Sequence, residues 1–256
     1  MNSQSKIRLV FLTGMLIGTV LAASINFVTP KKPEQKTPPN QISPEDIVKR
    51  FNQIYYNTEV CWSETKWLGI NAWQNPCDNW IMQEIISEIK PDFIIETGTY
   101  KGGASLFYAS ILNYVNKDGK IITVDVNPQI EEVSKNPLFQ NYVEVLKGDS
   151  VSPEIIDIIA QRVKGSKKVL VTLDSLHTKD HVLKELELYS KFISVGSYIV
   201  VQDTNVNGHP VLPEFGPGPM EAIIDFLEKN RSFKIDPTKN KFMLTSYPLG
   251  FLKKAY

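Results

Sequence analysis

From residue 93 onward, short and largely apolar runs alternate with longer stretches of helical periodicity. The runs are 93–95, 120–126, 142–146, 168–173 and 197–201. Runs this short, with little polar alternation, are the pattern of strands buried on both faces of a parallel sheet. Helical stretches lie between them. Residues 79–89 precede the first run. Residues 153–162 begin on Pro153, where the missing N–H costs nothing. Residues 179–192 place Val182, Leu186 and Tyr189 on one stripe, with Lys184, Glu185 and Glu187 outside it. The alternation predicts an α/β fold, a Rossmann-like, doubly wound and mostly parallel sheet, behind an N-terminal helical extension. Residues 241–246 and 249–253 are expected to close it as a final strand pair, making seven strands.

The first run leads into the most informative segment, Glu96-Thr97-Gly98-Thr99-Tyr100-Lys101-Gly102-Gly103. Strand, glycine turn and helix together present backbone N–H groups at the carboxyl end of a sheet. The spacing Glu-x-Gly-x-x-x-Gly differs from the Gly-x-Gly-x-x-Gly of dinucleotide sites, and its acid lies on the strand. It suits a ligand with a cationic amino-acid end and no pyrophosphate, for which S-adenosylmethionine (SAM) is the obvious candidate. The competing reading is an ordinary turn that needs glycine for positive φ.

Every later run also ends in acids or an amide. Asp125 follows Glu96 by 29 residues and is placed to accept the hydroxyls of a ribose. Asp149 and Ser150 follow the third run and can edge an adenine. Asp174 ends the fourth run, and Gln202 with Asp203 the fifth. The expected cofactor set is Glu96, Gly98, Thr99, Gly102, Gly103, Ser105, Asp125, Asp149 and Ser150. Lys101 is expected to face solvent.

Longer segments carry a family resemblance. They are Trp67-Leu68-Gly69, Asp78 to Glu84 (DNWIMQE), ETGTYKGG, LDSLHTKDHV, GSYIVVQDTNVNGHPV and FGPGPMEAI. These resemble the cephalosporin hydroxylase/rhamnosyl O-methyltransferase family, from about residue 67 to about 253. The resemblance implies a class I SAM-dependent methyltransferase that binds SAM and Mg²⁺. Methyl transfer to an alcohol requires the hydroxyl held in line with the sulfonium methyl, and a base for its proton. A divalent cation can lower the pKa of that hydroxyl and fix its direction. The family holds its metal with an Asp after the fourth strand and a Glu-Asp pair after the fifth. The matching residues are Asp174, Gln202 and Asp203, and the Gln supplies no charge. His177 matches a family His, which makes it the expected base beside Asp174. His209 lies in a Gly/Pro-rich loop expected to cover the acceptor, and His181, inside a helix, is expected to be a surface or packing residue. An oxygenase would require a facial His/carboxylate triad, and none is apparent.

The amino end reads separately. Residues 9–28 are uncharged over 20 positions, just enough to span a bilayer as one helix. The expected organisation is a membrane anchor or signal segment at 1–28, a Pro/Lys-rich linker at 29–44 and a methyltransferase domain at 45–256. The single span would leave the catalytic domain facing the cytosol, with secretion as the alternative. Ser43-Pro44-Glu45-Asp46 reads as a helix start. Cys61 and Cys77 fit a disulfide or free thiols equally.

Lys plus Arg equals Asp plus Glu at 28 each, so no global basic field invites nucleic acid. The aromatic residues Tyr55, Tyr56, Trp62, Trp67, Trp73 and Trp80 read as packing over the sheet ahead of a sugar platform. The sequence therefore predicts a SAM-dependent O-methyltransferase acting, with Mg²⁺, on a hydroxyl of a sugar, glycolipid or other small metabolite. A lipid-linked acceptor and a homo-oligomer stay open. The alternative is a non-catalytic SAM-binding or scaffolding protein of the same fold, motivated by Gln202.

Overall fold

The computed structural model describes residues 42–256. Three helices and a small hairpin precede the sheet: α1 (Pro44–Asn57), α2 (Val60–Ser63), β1 (Lys66–Trp67), β2 (Ile70–Asn71) and α3 (Pro76–Ile89). Ser43 caps α1 by accepting from the Asp46 N–H, and Asn75 caps α3 by accepting from the Cys77 N–H. In both helices Pro occupies the first turn, where its fixed φ suits the helix.

The alternating core follows: β3 (Phe93–Thr97), α4 (Gly103–Val115), β4 (Lys120–Asp125), α5 (Pro137–Tyr142), β5 (Val143–Lys147), α6 (Pro153–Arg162), β6 (Val169–Leu173), α7 (Lys179–Tyr189) and β7 (Tyr198–Val201). The chain closes with α8 (Pro219–Lys229), β8 (Phe233–Ile235) and β9 (Phe251–Lys254). The seven strands lie in the order β5-β4-β3-β6-β7-β9-β8. β5 to β7 run parallel, while β9 pairs antiparallel with both β7 and β8.

Neighbouring strand residues alternate between two cores, because successive side chains leave opposite faces. Ile95, Ile122, Val171 and Ile199 pack with α6, α7 and α8. Ile94, Ile121, Leu170 and Val200 pack with α3 and α4. Helices thus cover both faces, and the apolar runs carry no polar alternation for that reason. The strand order reverses between β3 and β6, and the crevice at that switch point is where such sheets take ligands.

Two expectations are corrected. Residues 241–246 form no strand, and the edge strand is β8 instead. Their backbone groups go to side chains and loops: Thr245 N–H donates to Asn52 (3.2 Å) and Ser246 N–H to buried Asp78 (2.7 Å). A segment whose N–H groups are taken this way has none left for a ladder. The single membrane span, with its cytosolic-facing domain or secreted alternative, is also corrected. No helix among the described residues is long and apolar enough to cross a membrane. The run at 9–28 that prompted it lies outside the described residues.

Candidate active site

The carboxyl ends of β3 to β7 open onto one cavity of about 770 Å³. The glycine turn builds part of its wall. Gly98 sits at φ 88°, and a Cβ there would overlap the Asp174 carbonyl oxygen and lie 2.6 Å from the carbonyl carbon. The turn after β3 and the end of β6 therefore touch backbone to backbone only because residue 98 is glycine. Gly103 likewise admits the Asn71 carbonyl from the β2 end.

Asp125 is held by two backbone donors: Tyr100 N–H to Oδ2 (2.8 Å) and Asn127 N–H to Oδ1 (2.7 Å). A carboxylate has about four acceptor sites, so two stay open to a ligand. Thr99 and Thr123 share a hydroxyl hydrogen bond of 2.7 Å. Asp149 accepts from the Val151 N–H (3.0 Å), and Ser150 donates to buried Glu185 (2.6 Å). Gly98, Thr99, Gly103, Asp125, Asp149 and Ser150 all line the cavity.

Glu96, Gly102 and Ser105 do not line it. Glu96 is buried and accepts from the hydroxyls of Ser105 and Thr123, which brace the turn from behind. Burial pushes its pKa up to about 7; the two hydroxyl donors pull it back and Asp125 adds to the rise. A methyl on Gly102 would meet Val133 and Phe139 at 2.8 and 2.9 Å, so this glycine serves core packing.

Asp174, His177 and Asp203 form a second group on the cavity wall, each offering one ligand atom within 4.8 Å of the others. His177 Nε2 lies 3.2 Å from Asp203 Oδ2 and 3.8 Å from Asp174 Oδ1. The Asp174 side chain is 23% exposed to the cavity, yet protein surrounds the rest. Burial drives its pKa well above the usual carboxylate value, the charges of Asp203 and Glu96 add to this, and a donor from Gln74 opposes it. Asp203 adopts φ 50°, rare for a residue with a side chain.

Gln202 is not part of this group. It is 2% exposed and does not line the cavity. Its Oε1 accepts from the Gln74 amide (3.0 Å) and the Tyr247 hydroxyl, and its Nε2 donates to Thr172 (2.9 Å). Its carbonyl oxygen is thus already committed, which runs against the expected ligand role. His209 is also off the wall. It bonds Glu221 (2.7 Å), which also accepts from the Gly218 N–H (2.7 Å) and Asn207 (3.0 Å). Burial raises the Glu221 pKa, but these donors outweigh it and hold the group near about 2. His209 therefore ties its loop to the start of α8 and makes no contact with the cavity.

Several wall residues were not expected. His181 lies within 3.1 Å of Ser150 and 3.4 Å of Glu185. Glu185 raises its pKa, partly offset by burial. Lys101 lines the cavity instead of facing solvent. So do Tyr56, Trp62 and Trp73, where sequence reasoning favoured packing. Their half-polar, aromatic-rich segment was the available signal, but it did not say which face they would turn.

The family model described as Rhamnosyl O-methyltransferase/CmcI matches residues 59–255. This chain belongs to that family. The rhamnosyl O-methyltransferase of Mycobacterium tuberculosis (H37Rv strain) is 39% identical over 215 residues, covering 82% of this chain and 86% of the relative. That of Mycobacterium leprae is 35% identical over 216 residues, covering 81% and 90%. The CmcI-N160 apo structure superposes with a TM-score of 0.57 at 16% identity, over 76% of this chain and 77% of CmcI. The CmcI-D160 structure with Mg and SAM gives 0.53 at 16%, over 76% and 78%. At this identity the two structures bear on the fold, and they share the class I methyltransferase architecture. With its family, the protein is a SAM-dependent O-methyltransferase.

Proposed function

We propose that this enzyme methylates a hydroxyl of a sugar, of the rhamnosyl kind named in its relatives. The observation that carries the reading is one shared cavity, with Asp125, Asp149 and Ser150 on its wall together with Asp174, His177 and Asp203. Asp125 offers its free acceptor sites to a ribose, and the Gly98 turn lines the part of the cavity where the amino-acid end of the cofactor would lie. Asp149 and Ser150 edge the adenine.

His177 is the general base. Asp203 at 3.2 Å orients its imidazole and stabilises the cation formed when it takes the acceptor proton. The donor set fits a divalent cation, since two carboxylates crowd together and one has a strongly raised pKa that a cation would relieve. Asp174 and Asp203 would hold it, and Mg²⁺, which keeps several waters, can be bound through two carboxylates. When bound, it would supply a Lewis acid for the acceptor hydroxyl.

The test is calorimetric titration of the full chain with SAM, with and without Mg²⁺, repeated on Asp125→Ala. Mass spectrometry for a methylated rhamnoside follows. SAM binding lost in Asp125→Ala, with a product lost in His177→Ala, is expected. SAM binding with no methylated product from any sugar would overturn the acceptor assignment.

A further inference from the structure

Tyr56, Trp62, Trp73 and Tyr100 form a continuous aromatic ladder along the cavity wall. Tyr56 stacks on Trp62 at 5.7 Å between ring centroids and 21° between planes. Trp62 meets Trp73 edge-on at 5.9 Å, and Trp73 meets Tyr100 at 4.5 Å. The ladder begins beside the cofactor acid, since the Tyr100 N–H bonds Asp125. It ends at Tyr56, which lines the same cavity as Asp203 and His177.

Core packing does not account for these rings. Trp73 is 48% exposed, which leaves much of a large apolar surface in the open cavity. It also sits at φ 49°, in the left-handed region that a bulky residue rarely adopts. Such strain concentrates at ligand clamps, where surrounding structure over-determines it. Trp62 is fixed in turn, its Nε1 donating to the Tyr56 carbonyl at 2.9 Å. A rigid, partly open row of aromatic faces is suited to flat apolar surfaces. The C–H face of a pyranose ring is such a surface, with its hydroxyls left at the edge for polar partners.

The geometry points to Tyr56, Trp62 and Trp73 as the binding platform for the acceptor's pyranose ring, holding one ring hydroxyl toward Asp203 and His177. This rests on the acceptor reading above. It assigns the N-terminal extension, α1 and α2 with the loop before α3, to substrate recognition.

The test uses the full chain saturated with S-adenosylhomocysteine, so that it requires no turnover. Methyl α-L-rhamnopyranoside is titrated while tryptophan fluorescence is followed, alongside separate SAM titrations. Wild type is expected to respond. Trp73→Ala and Trp62→Ala are expected to weaken sugar binding at least tenfold and leave SAM affinity within about twofold. Trp80→Ala, exposed and off the cavity, controls for loss of an indole. The conservative Trp73→Phe should recover part of the affinity and guards against a misfolded alanine variant. Sugar binding unchanged in both alanine variants would overturn the platform even if sugar methylation is found. So would loss of SAM affinity in place of sugar affinity. Rhamnoside binding without methyl transfer would leave the platform standing and sink the catalytic assignment separately.

Discussion

Replacing Gly98 with alanine tests whether the turn after β3 and the end of β6 act as one site. The added methyl would lie 2.6 Å from the Asp174 carbonyl carbon, whereas unstrained carbons sit about 3.5–4.0 Å apart. One of the two backbones must therefore move by about 1 Å. The φ of 88° adds about 1–2 kcal/mol of left-handed strain. Overpacking contributes about 1–3 kcal/mol more, so much of the protein should stay folded. Displacing Asp174 by about 1 Å is enough to reduce turnover about 10²-fold. Gly102→Ala is the matched comparison. It carries similar strain at φ 75°, but its methyl meets side-chain atoms of Val133 and Phe139, away from the cavity. Urea unfolding gives the folded fraction, and methyl transfer at saturating SAM gives turnover per folded molecule. Gly98→Ala should lose at least ten times more turnover than Gly102→Ala at comparable stability. Equal losses per folded molecule would refute the backbone-contact argument.

Four further predictions follow from the same geometry. Glu96 has a folded pKa of about 7, against an ordinary value near 4.5. Between those values the unfolded chain ionises while the folded one resists, so stability falls as pH rises through that window, by about 3 kcal/mol. Glu96→Gln should match wild type near pH 4.5 and exceed it at pH 8; an unchanged slope in denaturation midpoints would count against it. Glu221 has the opposite sign: held near about 2, it stabilises above pH 4.5, and this is lost as pH falls toward 2. Glu221→Gln should cost about 2–3 kcal/mol at pH 7 and little at pH 2, read from the same denaturation curves. His177→Ala should lower turnover about 10²- to 10⁴-fold with SAM affinity kept, and unaltered turnover would remove the base. Gln202→Glu should destabilise the fold at neutral pH by placing a charge in a buried amide network, without tightening Mg²⁺ binding. Stronger Mg²⁺ binding by calorimetry would move residue 202 into the cation site.

Much of this protein follows from local pattern. Apolar runs without polar alternation determined strands covered on both faces, and helical stripes determined what covers them. Ser43 marked a helix start because its side chain satisfies an N–H group only a few residues away. Glycine at 98 marked a special backbone position, since few other residues tolerate that φ. Tertiary structure decided what each polar group faces. Glu96 and Asp125 both belong to strands that lead into the site, yet Glu96 turns behind the turn and Asp125 onto the cavity. Gln202 and Asp203 are neighbours in the chain, but Gln74 and Tyr247, more than 40 residues away on either side, claim the amide. The edge of the sheet went to β8 because Asn52 and Asp78 took the N–H groups of 245 and 246, respectively. Tyr56, Trp62 and Trp73 joined the cavity wall because their elements fold back over the strand ends. Secondary structure depends on preferences within a few residues. The partner of a buried polar group is set by chain brought close from far away in sequence.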